Sequence, residues 1–228
     1  MGSFWNRGRV SFADVPALAS GALELRQFVV SPFSTNCYAL VSEGAALVID
    51  PGEAGARIAE ALSDVDVRLV VATHGHADHV GGVAALVAAT GASFAISAAD
   101  EDLARHARSN HAFGIEYDDD APAADIILKP GDVVGVGAAR LEVIPTPGHT
   151  PGGVCLLGQG DAAGLAFVGD TLFAGSAGRT DLPGGSMPQL MASLHLLAGR
   201  IEPATHVLCG HGDDTTMSWE LATNPYLR

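Results

Sequence analysis

Seven consecutive residues, 73–79, restrict the possible folds of this chain more than any other segment, because they carry three histidines and an aspartate. They directly follow a largely apolar run, 67–72, that has the length and composition of a buried strand. A helical pattern begins just after them, near Val80. Imidazole and carboxylate groups are suitable ligands for zinc, iron and manganese. The segment therefore predicts a metal site on a loop between a strand and a helix.

Three further polar residues lie in the same kind of position, each after an apolar strand-like run and each preceded by glycine: His149, Asp170 and His211. Glycine lets a backbone approach a crowded metal centre and adopt unusual dihedral angles. Any one of these residues alone is compatible with an ordinary turn. Together with segment 73–79, they predict a second group of ligands at the ends of neighbouring strands.

Short apolar runs alternate with alanine-rich helical patterns, which favours a layered α/β fold. The predicted strands are 23–30, 37–41, 45–49, 67–72, 93–96, 140–144, 154–157, 165–168 and 206–209. The predicted helices are 55–62, 80–90, 98–108 and 188–200, with Asp100 and Pro188 as helix-start residues. Segment 116–125 is acidic and predicts a solvated loop, and 129–132 predicts a tight turn. We expect residues 1–20 to form an N-terminal arm or lead-in and residues 21–228 to form a single domain.

Composition limits the possible environments and partners. The net charge is −14 and Lys129 is the only lysine, so nucleic acid and anionic lipid surfaces are unfavourable partners. No apolar run approaches the roughly 20 residues of a membrane-spanning helix. Residues 1–20 lack the continuous apolar stretch of a signal peptide, so we expect a cytoplasmic location. The three cysteines show no metal or redox spacing, which predicts small buried side chains in a reducing compartment.

The order of the ligands, H-x-H-x-D-H followed by histidine, aspartate and histidine, resembles that of the metallo-β-lactamase superfamily over about residues 36–211. Shorter stretches are similar to its short, single-domain glyoxalase II-like (hydroxyacylglutathione hydrolase-like) branch: 35–38, 169–173, 175–185, 210–212 and 223–227. The resemblance implies an α/β fold, a four-layer αβ/βα sandwich with the metals at one edge of the sheets.

The same resemblance implies a role for each ligand. The first metal ion is expected on His74, His76 and His149, the second on Asp78, His79 and His211, with Asp170 bridging both. The implied cofactor is two divalent ions, zinc in the first instance, with iron and manganese also suited. Asp78 and Asp170 are the implied catalytic residues, Asp78 because it can also orient the attacking water.

The resemblance also implies the reaction. Two divalent ions lower the pKa of a shared water towards ~7, which supplies a nucleophile for a carbonyl carbon. The sequence has no G-x-S-x-G serine motif and no obvious general acid. A thioester fits, because a thiolate with a parent pKa of about 8.5 leaves without help. We expect a small-molecule substrate similar to S-lactoylglutathione, with Arg179, Tyr38 and Phe173 as candidate substrate-binding residues.

Several alternatives stay open. Segment 178–181 is also similar to the persulfide dioxygenases, which hold a single iron. Lactone or other ester hydrolysis would need the same nucleophile. A non-enzymatic metal-binding or sensory protein is a further alternative, which the complete set of seven ligands disfavours. Many β-lactamases of this fold carry cysteine at the position of Asp170, which argues against lactamase activity. The related di-iron reductases carry glutamate at the position of His76, which argues against that activity too. Only residues 212–228 follow His211, where glyoxalase II carries its glutathione-binding helical domain, so the physiological thiol stays open.

Overall fold

Two β-sheets form the centre of the fold in the computed structural model, which describes residues 6–9, 23–109, 117 and 119–228. The first sheet has seven strands in sequential order: β1 (Asn6–Arg9), β2 (Glu24–Val30), β3 (Thr35–Ser42), β4 (Ala45–Ile49), β5 (Asp66–Val71), β6 (Ser93–Ser97) and β7 (Ile126–Leu128). Strands β1 to β4 pair antiparallel, and β4 to β7 pair parallel. Strand β1 lies in the predicted arm, so part of that arm is the edge strand of the sheet.

The second half of the chain contributes β8 (Val133–Val136), β9 (Ala139–Pro145), β10 (Val154–Gly160), β11 (Leu165–Gly169), a small hairpin of β12 (Leu172–Phe173) and β13 (Ser176–Ala177), β14 (His206–Cys209) and β15 (Thr215–Thr216). The six strands other than the hairpin form a sheet in the order β15-β14-β11-β10-β9-β8. Within it only β11 and β14 run parallel.

Six described helices lie outside the sheets: α1 (Gly55–Ala61), α2 (Ala77–Val80), α3 (Val83–Thr90), α4 (Ala98–Ala104), α5 (Met187–Arg200) and α6 (Met217–Thr223). No helix in the described part of the chain is long and apolar enough to cross a membrane. The predicted helix 80–90 is divided into α2 and α3, with Gly81 and Gly82 between them. The carbonyl of Gly52 and the ring of Tyr117 approach Gly81 so closely that a side chain there would overlap them.

Three apolar clusters show how the layers are held together. The first lies between the two sheets and includes Leu47 from β4 and Leu156 from β10. The second covers the outer face of the first sheet with α1 to α4 and includes Leu86. The third covers the outer face of the second sheet with α5 and α6 and includes Leu194 and Met217. The layers follow the order helix, sheet, sheet, helix, which confirms the four-layer αβ/βα sandwich.

The burial of the central strands explains why these strands could be predicted from the sequence. Every residue of β3 and β4 is buried, because one face packs on the other sheet and the other on helices. A strand covered on both faces appears as a continuous apolar run rather than an alternating one. The three cysteines are buried and unpaired, as the sequence predicted: Cys37, Cys155 and Cys209.

Candidate metal centre

The loops after β5, β9, β11 and β14 meet at one edge of the sandwich and deliver the predicted ligands there. The loops are held together by backbone hydrogen bonds that cross between the sheets. Val154 N donates to Thr73 O at 2.8 Å, and Asn36 N donates to Gly210 O at 2.7 Å. The structure therefore brings all seven predicted ligands together: His74, His76, Asp78, His79, His149, Asp170 and His211.

The hydrogen bonds of His74 determine which of its ring nitrogens carries a lone pair. The Thr73 hydroxyl donates its one proton to Asp50 Oδ2 at 2.7 Å. Its oxygen can therefore only accept in the contact of 3.1 Å with His74 Nδ1, which carries the ring proton. His74 Nε2 is then the unprotonated nitrogen. That atom is buried and has no hydrogen-bond partner. A buried imidazole lone pair without a partner is the state that a metal ion would satisfy.

His149 is oriented in the same way. Its Nδ1 donates to the backbone carbonyl of Arg179 at 2.7 Å, and a carbonyl can only accept. Its Nε2 therefore carries a lone pair, and it lies 2.9 Å from His76 Nδ1. Ligand atoms of His74, His76 and His149 lie within 4.8 Å of one another. Burial, followed by repulsion from His149, lowers the pKa of His76 to about 4, so this imidazole is neutral at physiological pH.

The second group has equivalent geometry. His79 Nδ1 lies 3.0 Å from Asp50 Oδ2, and His211 Nδ1 donates to Phe33 O at 3.1 Å. The Nε2 atoms of the two rings then face each other at 3.2 Å, with Asp78 Oδ2 3.2 Å from that of His211. When both rings are neutral and protonated on Nδ1, the two Nε2 lone pairs point at each other, which is unfavourable unless a proton or a metal ion lies between them. A cation between them would remove the conflict.

Asp170 lies between the two groups. Its Oδ1 is 3.3 Å from His79 Nε2, and its Oδ2 is 3.5 Å from His149 Nε2 and 3.4 Å from His211 Nε2. Oδ1 is buried without a hydrogen-bond partner. Ligands bonded to zinc at 2.0–2.1 Å in a tetrahedron are about 3.3 Å apart, close to the separations found here. The seven residues fit two divalent ions that share Asp170.

Charge distribution in this group shows what competes with a metal. Burial opposes protonation of His79, but the carboxylates of Asp170, Asp78 and Asp50 outweigh it and raise the pKa well above the usual range. Burial also opposes protonation of His211, but Asp170 and Asp78 raise its pKa to about 9. The pKa of Asp170 is lowered well below its usual range, because His79 and His211 outweigh burial. Protons therefore hold the second group together when no metal does.

Two buried aspartates that the sequence analysis did not select support the ligands from behind. Asp50 accepts from Thr73 N and Thr73 Oγ1, both at 2.7 Å, and contacts His79. Asp100 accepts from Gly75 N at 2.9 Å and from Gly152 N at 2.7 Å. Asp50 directly follows β4, just as the ligands follow their strands, and this position in the sequence could have identified it. The predicted helix begins at Ala98 as α4, and Asp100 lies fully buried in its first turn.

A cavity of about 790 Å³ opens over the two groups. His76, Asp78, His149, Asp170 and His211 lie in its wall. Most of the remaining wall is apolar and includes Phe33, Leu103, Tyr117, Phe173, Leu182 and Pro183.

The three candidate substrate residues have different positions. Phe173 and Arg179 line the cavity. Tyr38 does not line it, because its ring packs edge-on against Phe167 between the sheets and its hydroxyl donates to Cys209 O at 2.9 Å. Tyr38 therefore has the core position that its apolar neighbours in β3 also have. A further histidine, His111, lies outside the described residues.

Comparison with known families decides the identity of the fold. The sequence profile of the metallo-β-lactamase superfamily matches residues 30–211. The chain belongs to this superfamily. The match includes all seven predicted ligands, and the order of those ligands is the feature on which the resemblance was first based.

Curated relatives place the chain near one branch of the superfamily. The hydroxyacylglutathione hydrolase GloC of Haemophilus influenzae is 31% identical over 206 residues, 87% of this chain and 95% of that protein. The hydroxyacylglutathione hydrolase of Acidiphilium cryptum is 39% identical over 196 residues, 83% of this chain and 71% of that protein. These relatives agree with the glyoxalase II-like branch.

Solved structures show the same fold with different names. BLEG-1, described as a B3 metallo-β-lactamase, is 30% identical with a TM-score of 0.82, covering 89% of this chain and 99% of its own. TTHA1623, solved in a di-iron-bound form, is 32% identical with a TM-score of 0.78, covering 87% and 98%. ETHE1 of Myxococcus xanthus is 29% identical with a TM-score of 0.71, covering 88% and 83%. The di-iron neighbour supports divalent metals in this fold and leaves the choice of metal open.

Proposed function

We propose that this protein is a dinuclear metallo-hydrolase that cleaves thioesters, either similar to S-lactoylglutathione or of a related thiol. The observation that carries the proposal is a pair of ligand groups in the wall of a largely apolar cavity. The two groups have no residue in common, and Asp170 lies between them. The relatives named hydroxyacylglutathione hydrolase support the substrate class.

The chain's own residues divide the work of binding and positioning. Two bound divalent ions would supply a nucleophile from water near neutral pH and polarise a carbonyl group. Asp78 Oδ2 lies 3.2 Å from His211 Nε2, and its carboxylate is placed to accept a hydrogen bond from the attacking water. The apolar wall, which includes Phe173 and Leu103, would exclude bulk water from the acyl group.

The leaving group fits a thiol better than an alcohol or an amine. An alkoxide or amide leaving group needs an acid to protonate it, whereas a thiolate leaves unassisted. Among the described residues that line the cavity, Tyr117 carries the most acidic hydroxyl group. Burial raises the pKa of this hydroxyl above its usual range. It is therefore a poor proton donor, which favours thioester cleavage.

The deciding experiment measures thiol release from S-D-lactoylglutathione by protein loaded separately with zinc, manganese and iron(II). We expect metal-dependent release, and Asp170→Ala should lose both metal occupancy and turnover. Asp125→Ala is the matched control, because Asp125 accepts from Phe94 N at 2.9 Å and belongs neither to the ligand groups nor to the cavity wall. Because BLEG-1 is described as a β-lactamase, a chromogenic cephalosporin belongs in the same assay. Hydrolysis of the cephalosporin without thioester cleavage would overturn the proposal.

A second candidate is persulfide dioxygenase activity, which the likeness to ETHE1 favours. Asp78, His79 and His211 also form a group of one aspartate and two histidines, which could hold a single iron ion without the other ligands. Oxygen uptake by the iron-loaded protein with glutathione persulfide, in the absence of thioester cleavage, would establish this alternative.

A further inference from the structure

The rim of the cavity carries one arginine whose charge is already matched. Arg179 Nε lies 2.7 Å from Asp181 Oδ1, and a terminal guanidinium nitrogen lies 2.8 Å from Asp181 Oδ2. This two-point geometry uses the planar fork with which arginine binds any carboxylate. The carbonyl of Arg179 accepts from His149, so the pair is anchored beside the first ligand group. Arg179 lowers the pKa of Asp181 to about 2, so Asp181 is ionised throughout the neutral range.

No other lysine or arginine is among the described residues that line the cavity. Segment 110–116, outside the described residues, contains neither residue type. Gly212 also lines the cavity, and two exposed aspartates follow it, Asp213 and Asp214. Among the described residues of the cavity wall, Arg179 is therefore the one lysine or arginine, and Asp181 already faces its guanidinium.

We propose that Asp181 determines thiol specificity by occupying the guanidinium of Arg179, so that the enzyme prefers thioesters whose thiol half carries no carboxylate at the rim. This inference rests on the proposed thioester hydrolysis. A carboxylate approaching Arg179 must displace Asp181 or meet its charge, whereas a neutral thiol packs on the apolar wall without either cost. Because the pair lies at the exposed end of the cavity, the effect falls on substrate binding and therefore on KM.

Two matched probes isolate the charge. S-lactoyl-N-acetylcysteine carries one carboxylate, and its methyl ester has the same skeleton without that charge. For the metal-loaded protein we expect kcat/KM to be several-fold higher for the methyl ester, with the difference in KM. Substitution Asp181→Asn should raise kcat/KM for the carboxylate probe about two- to five-fold, the scale of an exposed ion pair. It should leave the value for the methyl ester unchanged.

A matched control variant exists elsewhere on the surface. Arg68 Nε lies 2.7 Å from Asp66 Oδ2, so these residues form another exposed pair two positions apart, outside the cavity wall. Asp66→Asn should alter neither probe. A wild-type preference for the carboxylate probe, or an unchanged preference in Asp181→Asn, would overturn the inference and leave thioester hydrolysis standing. Failure to cleave either probe would overturn the proposed function and this inference with it.

Discussion

At the scale of single residues, glycine next to a ligand has a steric function that composition alone does not reveal. A Cβ atom built on Gly210 would overlap Asp170 Oδ1 and lie 2.8 Å from His79 Cε1. Gly210→Ala should therefore displace the shared carboxylate and lower metal affinity about 10-fold or more, the scale found for residues that support ligands. Competition with a chromophoric chelator measures the change.

Gly199→Ala provides the control for that substitution. Gly199 lies within α5, and a Cβ atom there would meet nothing within 4 Å. Alanine in a helix interior is favoured over glycine by roughly 0.5–1 kcal/mol, so this variant should unfold at a slightly higher temperature with unchanged metal affinity. Equal metal affinity in the two variants would refute the steric role of Gly210.

Tyr38 provides a second prediction at this scale, because its position in the core gives it a structural rather than a substrate-binding role. Removing the hydroxyl in Tyr38→Phe leaves Cys209 O without the bond of 2.9 Å. We expect a loss of about 1 kcal/mol in unfolding free energy, as for a typical buried hydrogen bond. KM for the thioester should be unchanged, whereas Phe173→Ala, in the cavity wall, should raise it. Urea unfolding and steady-state kinetics measure the two effects, and a raised KM in Tyr38→Phe would contradict this placement.

At the scale of elements, Asp100 joins two loops that come from different sheets. Gly75 lies between His74 and His76 in the loop after β5, and Gly152 lies in the loop between β9 and β10 that carries His149. Asp100→Asn preserves the shape but turns one acceptor into a donor facing an N–H group. We expect the affinity for the first ion to fall about 10- to 100-fold while the second ion binds as before.

Stepwise chelator titration resolves the two affinities, with Asp125→Asn as the control for loss of an ordinary carboxylate-to-backbone bond. If Asp100→Asn weakened both sites equally together with a lower unfolding temperature, Asp100 would be a general stabilising residue and not a positioning residue.

Elements also show how far sequence reasoning reaches. The buried strands β3 to β5 were predictable because a strand covered on both faces is a continuous apolar run. The strands β7 and β15 were not, since three and two residues give no measurable period. The glycines between α2 and α3 were visible, but the reason for the break, contact with Gly52 and Tyr117, lies far along the chain.

The site shows the same division. Ligands follow strands in a recognisable order, so they were predictable from local sequence and from the family resemblance. Asp100 was missed because its partners, Gly75 and Gly152, are 25 and 52 residues away and meet it only in the folded chain. Tyr38 lies within a stretch, 35–38, that is similar to the family pattern, and only the register of β3 shows that its side chain points between the sheets.

At the scale of the whole molecule, the ligands connect the two halves of the sandwich. The loop after β5 belongs to the first sheet, whereas the ligands from the loops after β9, β11 and β14 belong to the second. Ions bound to both would cross-link the sheets and stabilise the folded state, since the unfolded chain has no preformed site. Metal removal is therefore expected to lower stability, and by an amount that depends on pH.

The direction of that dependence follows from the pKa shifts. In the metal-free protein His211 has a pKa raised from 6.5 to about 9, and His79 is raised well above 6.5. Their contribution to stability is fully present below pH 6.5 and is lost as the pH rises through about 9. The pKa of Asp170 is lowered from 3.8, so its contribution is present above pH 3.8 and is lost on further acidification. His76 acts in the opposite direction, because burial lowers its pKa from 6.5 to about 4 and its contribution is lost as the pH falls from 6.5 towards 4. The metal-free protein should therefore be most stable near pH 6.5.

We therefore expect the unfolding temperature of chelator-treated protein to fall between pH 6.5 and 9, by about 2–4 °C for each kcal/mol lost. Metal-loaded protein should not follow it, because fewer protons compete for His79 and His211 as the pH rises and affinity increases. The gap between the two curves should widen with pH, and circular dichroism melts from pH 5 to 9 measure it. In His211→Gln the metal-free curve should flatten. Parallel curves for loaded and metal-free protein would show that the protons and the metal do not compete for the same ligands.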